Sequence, residues 1–262
     1  MTLLARLWAV LVVGVGLVLV GATPSWAAAA APSPSASASD PTVTVQLPGV
    51  DGGEGPNSSI VLLLALTVLA VAPALLLLTT SFTKIIVVLS LTRNALGLQG
   101  VPPNQVLAGI ALFLSLFIMS PVISQVNEDA LQPYLAGDVT FSQAFDEAKK
   151  PMSEFMLENT RPEELALMVK VSKEPAPATP ADVSITTLIP AFILSELRAA
   201  FIIGFVIFVP FLVIDMVVSA GLMSVGMMML PPVMISLPFK LLLFVLVDGW
   251  GLVVTSLVSS YG

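Results

Sequence analysis

The strongest constraint on this chain is a set of apolar runs, residues 60–78, 82–98, 106–126, 185–225 and 233–258, most of which approach or exceed the roughly 20 residues a helix needs to cross a bilayer. Prolines interrupt all but one of them: Pro73, Pro121, Pro190, Pro210 and Pro238. A proline inside a helix removes a hydrogen bond and crowds the preceding turn, so each of these positions predicts a kink or a division. The run at 185–225 is too long for one crossing, about 60 Å if fully helical, and Pro190 and Pro210 are expected to divide or bend it. Ionisable side chains also lie in these runs: Lys84, Arg93, Glu196, Arg198, Asp215, Lys240 and Asp248. Each costs about 2.5–3.5 kcal/mol on insertion scales, so it carries a function, pairs with a neighbouring helix or lies at a polar interface. Lys84 and Arg93 fall on opposite helix faces and cannot share a partner, while Lys240 and Asp248 are two turns apart, too far for direct contact.

Apolar residues make up 56% of the chain and charged ones 10%, far from the soluble average of about 25% charged, which points to a membrane-associated protein. A net charge of −7 with no Lys/Arg cluster argues against nucleic acid as a partner. The absence of Cys and His removes disulfides, thiol nucleophiles, imidazole bases and the common zinc ligands. No catalytic residue, metal ligand or cofactor site is expected, and the chain reads as a non-enzyme.

The N-terminus, residues 1–27, has the form of a secretory signal: Arg6, an apolar stretch over 7–20, Pro24, then small residues ending at Ala27. An uncleaved anchor is the competing reading. Residues 28–59 are rich in Ala, Pro, Ser and Gly without apolar periodicity and are read as a disordered tether. Residues 60–126 then form a first helical hairpin turning at Gly97, Gly100, Pro102 and Pro103. Residues 127–185 differ in character, with eleven acidic and five basic residues, and are expected to be a water-facing helical domain. Phe141, Phe145, Met152, Phe155 and Met156 recur at helical spacing, giving an apolar face as an assembly surface on a helix that restarts around Pro151. A further helix opens at Pro162 with an acidic first turn. Residues 186–262 complete a second hairpin. The fold class is therefore all-α: long kinked helical hairpins associated with the membrane, plus a mainly helical water-facing insertion. If the tether lies outside, alternation puts Lys84 and Arg93 inside and the acidic domain outside, where its five Lys or Arg give no positive-inside support. The segments need not be ordinary spans.

Between the last two runs stand Gly226, Met227, Met228, Met229, Leu230, Pro231 and Pro232, with no charge between Asp215 and Lys240. Three consecutive Met cannot form a one-sided helical stripe, and Leu230 before proline is pushed out of the helical region, so this stretch is a turn. Spacing alone makes it a greasy hairpin tip. The sharper alternative is a deformable constriction, since Met is long, unbranched and able to repack.

The residues Ser81-Phe82-Thr83-Lys84 through Thr92-Arg93-Asn94, followed by Pro102-Pro103-Asn104-Gln105, resemble the signature of the flagellar type III export-gate FliP family and its injectisome counterparts. Phe155-Met156-Leu157 with Thr160-Arg161, Ser195-Glu196-Leu197, Phe208-Val209-Pro210 through Asp215, and the methionine stretch resemble the same family in the same order, as does Leu237-Pro238-Phe239-Lys240 through Trp250. The resemblance covers residues 60–262 and leaves out the tether. It implies a secretion channel of the bacterial inner membrane, in the flagellar basal body, built as a pentameric ring with FliQ-like and FliR-like subunits beside larger export-gate membrane proteins. It also implies unfolded export substrates, hairpins held largely above the lipid plane, and a pore gasket at Met227, Met228 and Met229. Two other classes compete on the residues themselves. A secondary transporter or ion channel would use Glu196, Asp215, Lys240 and Asp248 as relays, but no internal repeat supports it; an intramembrane hydrolase would need a nucleophile and base at a spacing the chain does not offer.

Overall fold

A computed structural model describes residues 56–172, 177, 179–227 and 231–261, so the signal and nearly all of the tether, residues 1–55, lie outside the described residues. Among the described residues every regular element is helical and no strand occurs. Helix α1, Pro56–Leu78, is nearly all apolar and leaves Leu63, Leu64, Val68, Leu69 and Leu76 exposed. A helix this apolar on every side belongs in lipid or against other chains. It runs through Pro73 and ends at Thr79 and Thr80, whose hydroxyls donate to the Leu75 and Leu77 carbonyls at 3.0 and 3.1 Å. Those bonds satisfy acceptors that a helix end leaves free, and the chain turns by 63° into α2, Phe82–Ala95.

Helix α2 buries Lys84, Ile85, Val88, Leu89, Thr92 and Ala95, one face repeating every three or four residues. It packs against α3, Asn104–Ile118, across a turn that includes a cis Val101–Pro102 peptide. The chain bends by 59° after Ile118 into α4, Ser120–Val126, a π-helical turn at Asn127–Leu131, and α5, Gln132–Ala136. Helix α6, Phe141–Glu158, begins with a capping box in which the Thr140 hydroxyl accepts from the Gln143 amide and the Gln143 side chain accepts from the Thr140 amide. The expected restart at Pro151 does not occur: α6 is continuous and buries that proline, with Phe155 and Met156 beyond it on the same packed side. Helix α7, Pro162–Ser172, follows with Glu163 and Glu164 in its first turn.

Helix α8, Ile185–Ser224, is a single helix of 40 residues, about 60 Å long. Pro190 and Pro210 lie inside it and neither divides it. A break would leave several backbone groups unpaired among apolar side chains, whereas a proline in an intact helix frees only one carbonyl. It is the one described helix long and apolar enough to span a bilayer by itself; counting each bent pair as one span raises the number to four. The last run is instead broken, as α9, Pro232–Leu246, and α10, Gly249–Ser259, meeting at 61°. Pro238 sits within α9 while the break falls at Asp248, a non-glycine residue with φ of 51°.

Three buried clusters hold these helices together. The first joins Ile85, Val88 and Leu89 of α2 to Leu107 and Ala111 of α3, Ala200 of α8, and Val253 and Leu257 of α10. The second places Met119, Phe155 and Met156 against Leu188 and Phe192 of α8. A third gathers Ala95, Leu96, Phe211 and Phe244. The crossing of α2 and α8 depends on Gly204, where an added Cβ would stand 2.3 Å from Leu91 Cδ1 and 3.1 Å from Leu91 Cβ. Gly204→Val should therefore cost about 1–3 kcal/mol through overpacking. The double variant with Leu91→Ala should regain much of it, a non-additivity that thermal unfolding of the detergent-extracted chain would measure.

Candidate functional site: buried charge pairs and the methionine turn

Apolar helices leave a charged group only two choices, a partner or water, and the fold supplies partners. Lys84 on α2 meets Glu196 on α8, Nζ to Oε1 at 3.1 Å, with the side chains 3% and 1% exposed. The other carboxylate oxygen accepts from the Tyr261 hydroxyl. Near the other end of α2, Lys240 of α9 donates to Asp215 Oδ2 of α8 at 2.6 Å and to the Ala95 carbonyl at 3.2 Å. Ser236, one turn before Lys240, donates to Asp215 Oδ1 at 2.5 Å. This pair thus ties α2, α8 and α9 together, with two of the three ammonium hydrogens placed and both carboxylate oxygens used. Gly97 lies against the same lysine, its nearest possible Cβ position 3.9 Å from Nζ.

Arg198 faces the other way. Its Nη1 reaches Glu163 Oε2 and Glu164 Oε1 of α7, each at 2.6 Å, so α7 is docked on α8 by a guanidinium that is half exposed. The hydrogen bond from Arg198 holds the Glu164 carboxyl below its usual 4.5, against the opposing effect of burial. Among the described residues Arg93 meets no acid: Nη1 donates to the Pro102 carbonyl at 3.0 Å and Asn104 Oδ1 at 2.7 Å, so it closes the turn between α2 and α3, and its Nε has no partner there. Asp248 is exposed and does not approach Lys240; its carboxylate folds over the first turn of α10, where a Cβ on Gly251 would lie 2.2 Å from Oδ2.

Of the seven ionisable residues singled out in the sequence, then, four form two buried or part-buried pairs, Arg198 forms an exposed bridge, and Arg93 and Asp248 serve chain turns. The partners Asp215 for Lys240 and Glu163 and Glu164 for Arg198 are not deducible from helical spacing. One signal was present: Asp215 and Lys240 are the only charges in residues 199–247, on adjacent apolar runs, and mutual neutralisation is the cheapest arrangement available to them. Tyr261 carried no such signal.

The methionine turn begins as a helix end. Gly226 adopts φ of +78°, Met227 N donates to the Leu222 carbonyl at 3.0 Å, and Gly226 N donates to the Met223 carbonyl at 3.1 Å. This is the Schellman arrangement, for which glycine is the favoured residue because its conformation is left-handed. Met227 leaves that cap 45% exposed. Met228 and Met229 lie outside the described residues, and Pro231 and Pro232 start α9. The aromatic face of α6 divides. Phe141 and Phe145 stack on each other, 70% and 54% exposed. Phe155 and Met156 face inward, 7% and 1% exposed against Phe192 and its neighbours, so the exposed part of this apolar face is narrower than its spacing suggests.

Two measurements follow from this geometry. Lys240→Met alone should destabilise the chain by about 3 kcal/mol, the lower end for a broken buried pair because Asp215 is 30% exposed. Adding Asp215→Asn should restore much of the loss and adding Glu196→Gln should not, as judged by accumulation in membranes. The Glu164 carboxyl is depressed in the folded chain, so its contribution is present above pH about 4.5 and is lost as pH falls below that value. Protease sensitivity of α7 should rise on acidification through that range, and Glu164→Gln should make it sensitive already at neutral pH.

Comparison with known proteins places this arrangement. A family model described as the FliP family matches residues 65–257. The flagellar biosynthetic protein FliP of Bacillus subtilis (strain 168) is 54% identical over 208 residues, covering 79% of this chain and 94% of that protein. Its namesake in Pectobacterium carotovorum subsp. carotovorum is 49% identical over 226 residues, 84% and 88% of the two chains. The protein of the same name in Caulobacter vibrioides is 49% identical over 210 residues, 80% and 79% of the two. The match takes in every helix that carries a buried charge, and the chain belongs to the FliP family.

Proposed function

We propose that this chain is a core subunit of the flagellar type III protein export gate, forming with further copies of itself a channel that passes unfolded flagellar substrates across the inner membrane. Family membership supports a role in flagellum biogenesis and protein export. The observation that carries the channel-subunit reading over an ion-relay transporter is the pairing of Lys84 with Glu196 and of Lys240 with Asp215 inside one chain. A relay needs a carboxylate or amine that gains and loses its proton along a wet path, whereas these groups are engaged by one another and by neighbouring hydroxyl and carbonyl groups. What the helices leave over is apolar surface: Phe201, Phe205, Val206, Val213, Met216 and Val217 of α8 are exposed, more than a single chain covers. Such a surface suits a ring of five copies with FliQ-like and FliR-like subunits, larger export-gate membrane proteins around it, and lipid outside.

In this reading residues 1–27 are a cleaved signal, residues 28–59 a tether, residues 60–126 and 186–262 two kinked hairpins, and residues 127–185 a water-facing insert on the outer side. Phe141 and Phe145 supply the assembly contacts of that insert. Met227, Met228 and Met229 form the gasket. An extended substrate needs a passage of about 10 Å, yet an idle pore must hold back ions. Three Met per copy around an axis dewet the constriction, and unbranched side chains fold aside at low cost. Replacing all three with Ala should open an ion leak while export largely persists; replacement with Leu should keep the seal better than Ala does. If the triple Ala chain assembles, exports normally and adds no conductance in bilayers, the gasket reading is wrong and the turn is only a hairpin tip.

A further inference from the structure

Tyr261 follows α10 and packs its ring where α2, α6 and α8 meet. The ring stacks on Phe155 of α6, centroids 6.0 Å apart and planes 16° apart, and Phe155 leans on Phe192 of α8 at 5.9 Å. Lys84 Nζ lies 3.5 Å from the centroid of the same ring while it contacts Glu196. The Tyr261 hydroxyl donates to Glu196 Oε2, with the Ser81 carbonyl also 3.4 Å away.

Each contact meets a need that the others leave open. Lys84 engages one oxygen of a carboxylate that is 1% exposed; without the tyrosine the second oxygen would be buried and unsatisfied. The ammonium, cut off from water, gains the electron-rich face of the ring, and cation–π attraction is strongest where the cation is desolvated. The stack on Phe155 then ties this site to α6, which no other described charge does. The nearest of these partners in sequence, Glu196, is 65 residues before Tyr261.

We propose that Tyr261 is a positioning residue, a latch whose docking completes the Lys84–Glu196 pair and fixes α6 against α2 and α8, so that the insert takes its final place only once α10 is folded. The latch is independent of the channel reading, since every contact it uses lies within one chain.

The chain has no cysteine, so a single introduced thiol reports without background. In the full-length chain in native membranes, Met156→Cys, at a position 1% exposed in the α6 contact, reports release of the insert. Val88→Cys, at a position 0% exposed among α2, α3, α8 and α10, reports the rest of the core. Tyr261→Ala removes stack, cation contact and hydrogen bond, and should speed maleimide labelling of Met156→Cys about tenfold or more while leaving Val88→Cys unchanged. Tyr261→Phe keeps both ring contacts and should fall between. Unchanged labelling of Met156→Cys in Tyr261→Ala would overturn the latch, and so would equal acceleration at both positions, which would make Tyr261 a general stabiliser. Should Tyr261→Ala not accumulate, Tyr261→Leu keeps apolar bulk without ring face or hydroxyl and carries the same two outcomes.

Discussion

The ion pair between Lys84 and Glu196 is the contact on which the rest of this unit turns. A lysine and a glutamate taken this far from water need partners on every polar atom, and the surroundings supply them: each carboxylate oxygen has a donor, and the ammonium has one carboxylate oxygen and a ring face. Meeting those demands fixes the relative positions of α2, α8 and the residues after α10. The second pair, Lys240 with Asp215, repeats the solution near the far end of α2 and brings α9 in. Two charged clasps along one helix crossing set its register in a way that apolar packing alone does not, because Leu, Ile and Val contacts can slide by a turn at modest cost while a buried charge cannot.

Around these clasps the architecture separates what must be rigid from what is left uncovered. Helix α8 is the spine: it carries Glu196 and Asp215 for the clasps, Arg198 for α7, and Gly204 for the close approach of α2. Beyond Asp215 it continues without a charge to a glycine cap from which Met227 projects. The position of the methionine turn is thereby set by a long helix anchored at two depths, although the turn itself is built of the most adaptable apolar side chain. A firm support under a soft tip suits the proposed gasket.

Much of this was legible in the amino-acid sequence, and the misses have physical causes. Composition and run length point to membrane helices, and all described elements are helical. At residue 127, where the composition changes, the chain passes through a π-helical turn. Proline misled at Pro151, where no restart occurs, and Pro190 and Pro210 lie inside an intact helix without dividing it. The observed bends fall after Leu78, Ile118 and Leu246: the second has Pro121 in the first turn of the helix that follows it, where a kink was expected, and the first lies beside Thr79 and Thr80, whose hydroxyls take up freed carbonyls. The inward side of α6 was not separable from its outward side by periodicity, since Phe141, Phe145 and Phe155 all look alike until Phe192 and Tyr261 claim one of them. Helical spacing could not supply the charge partners for a related reason: it tells which residues share a face of one helix, and both clasps join different helices.

On the proposed reading the buried charges are clasps and not carriers of protons. The most direct test is flagellar substrate export from cells whose only copy of this chain has Lys84→Met together with Glu196→Gln, a change that removes both charges and keeps an acceptor for the Tyr261 hydroxyl. The double variant should accumulate better than either single variant and retain export, because a neutral pair of similar volume can replace a buried ion pair at little cost. A double variant that accumulates and assembles as well as the parent yet exports nothing would contradict it, and would assign these two residues to the transport step itself.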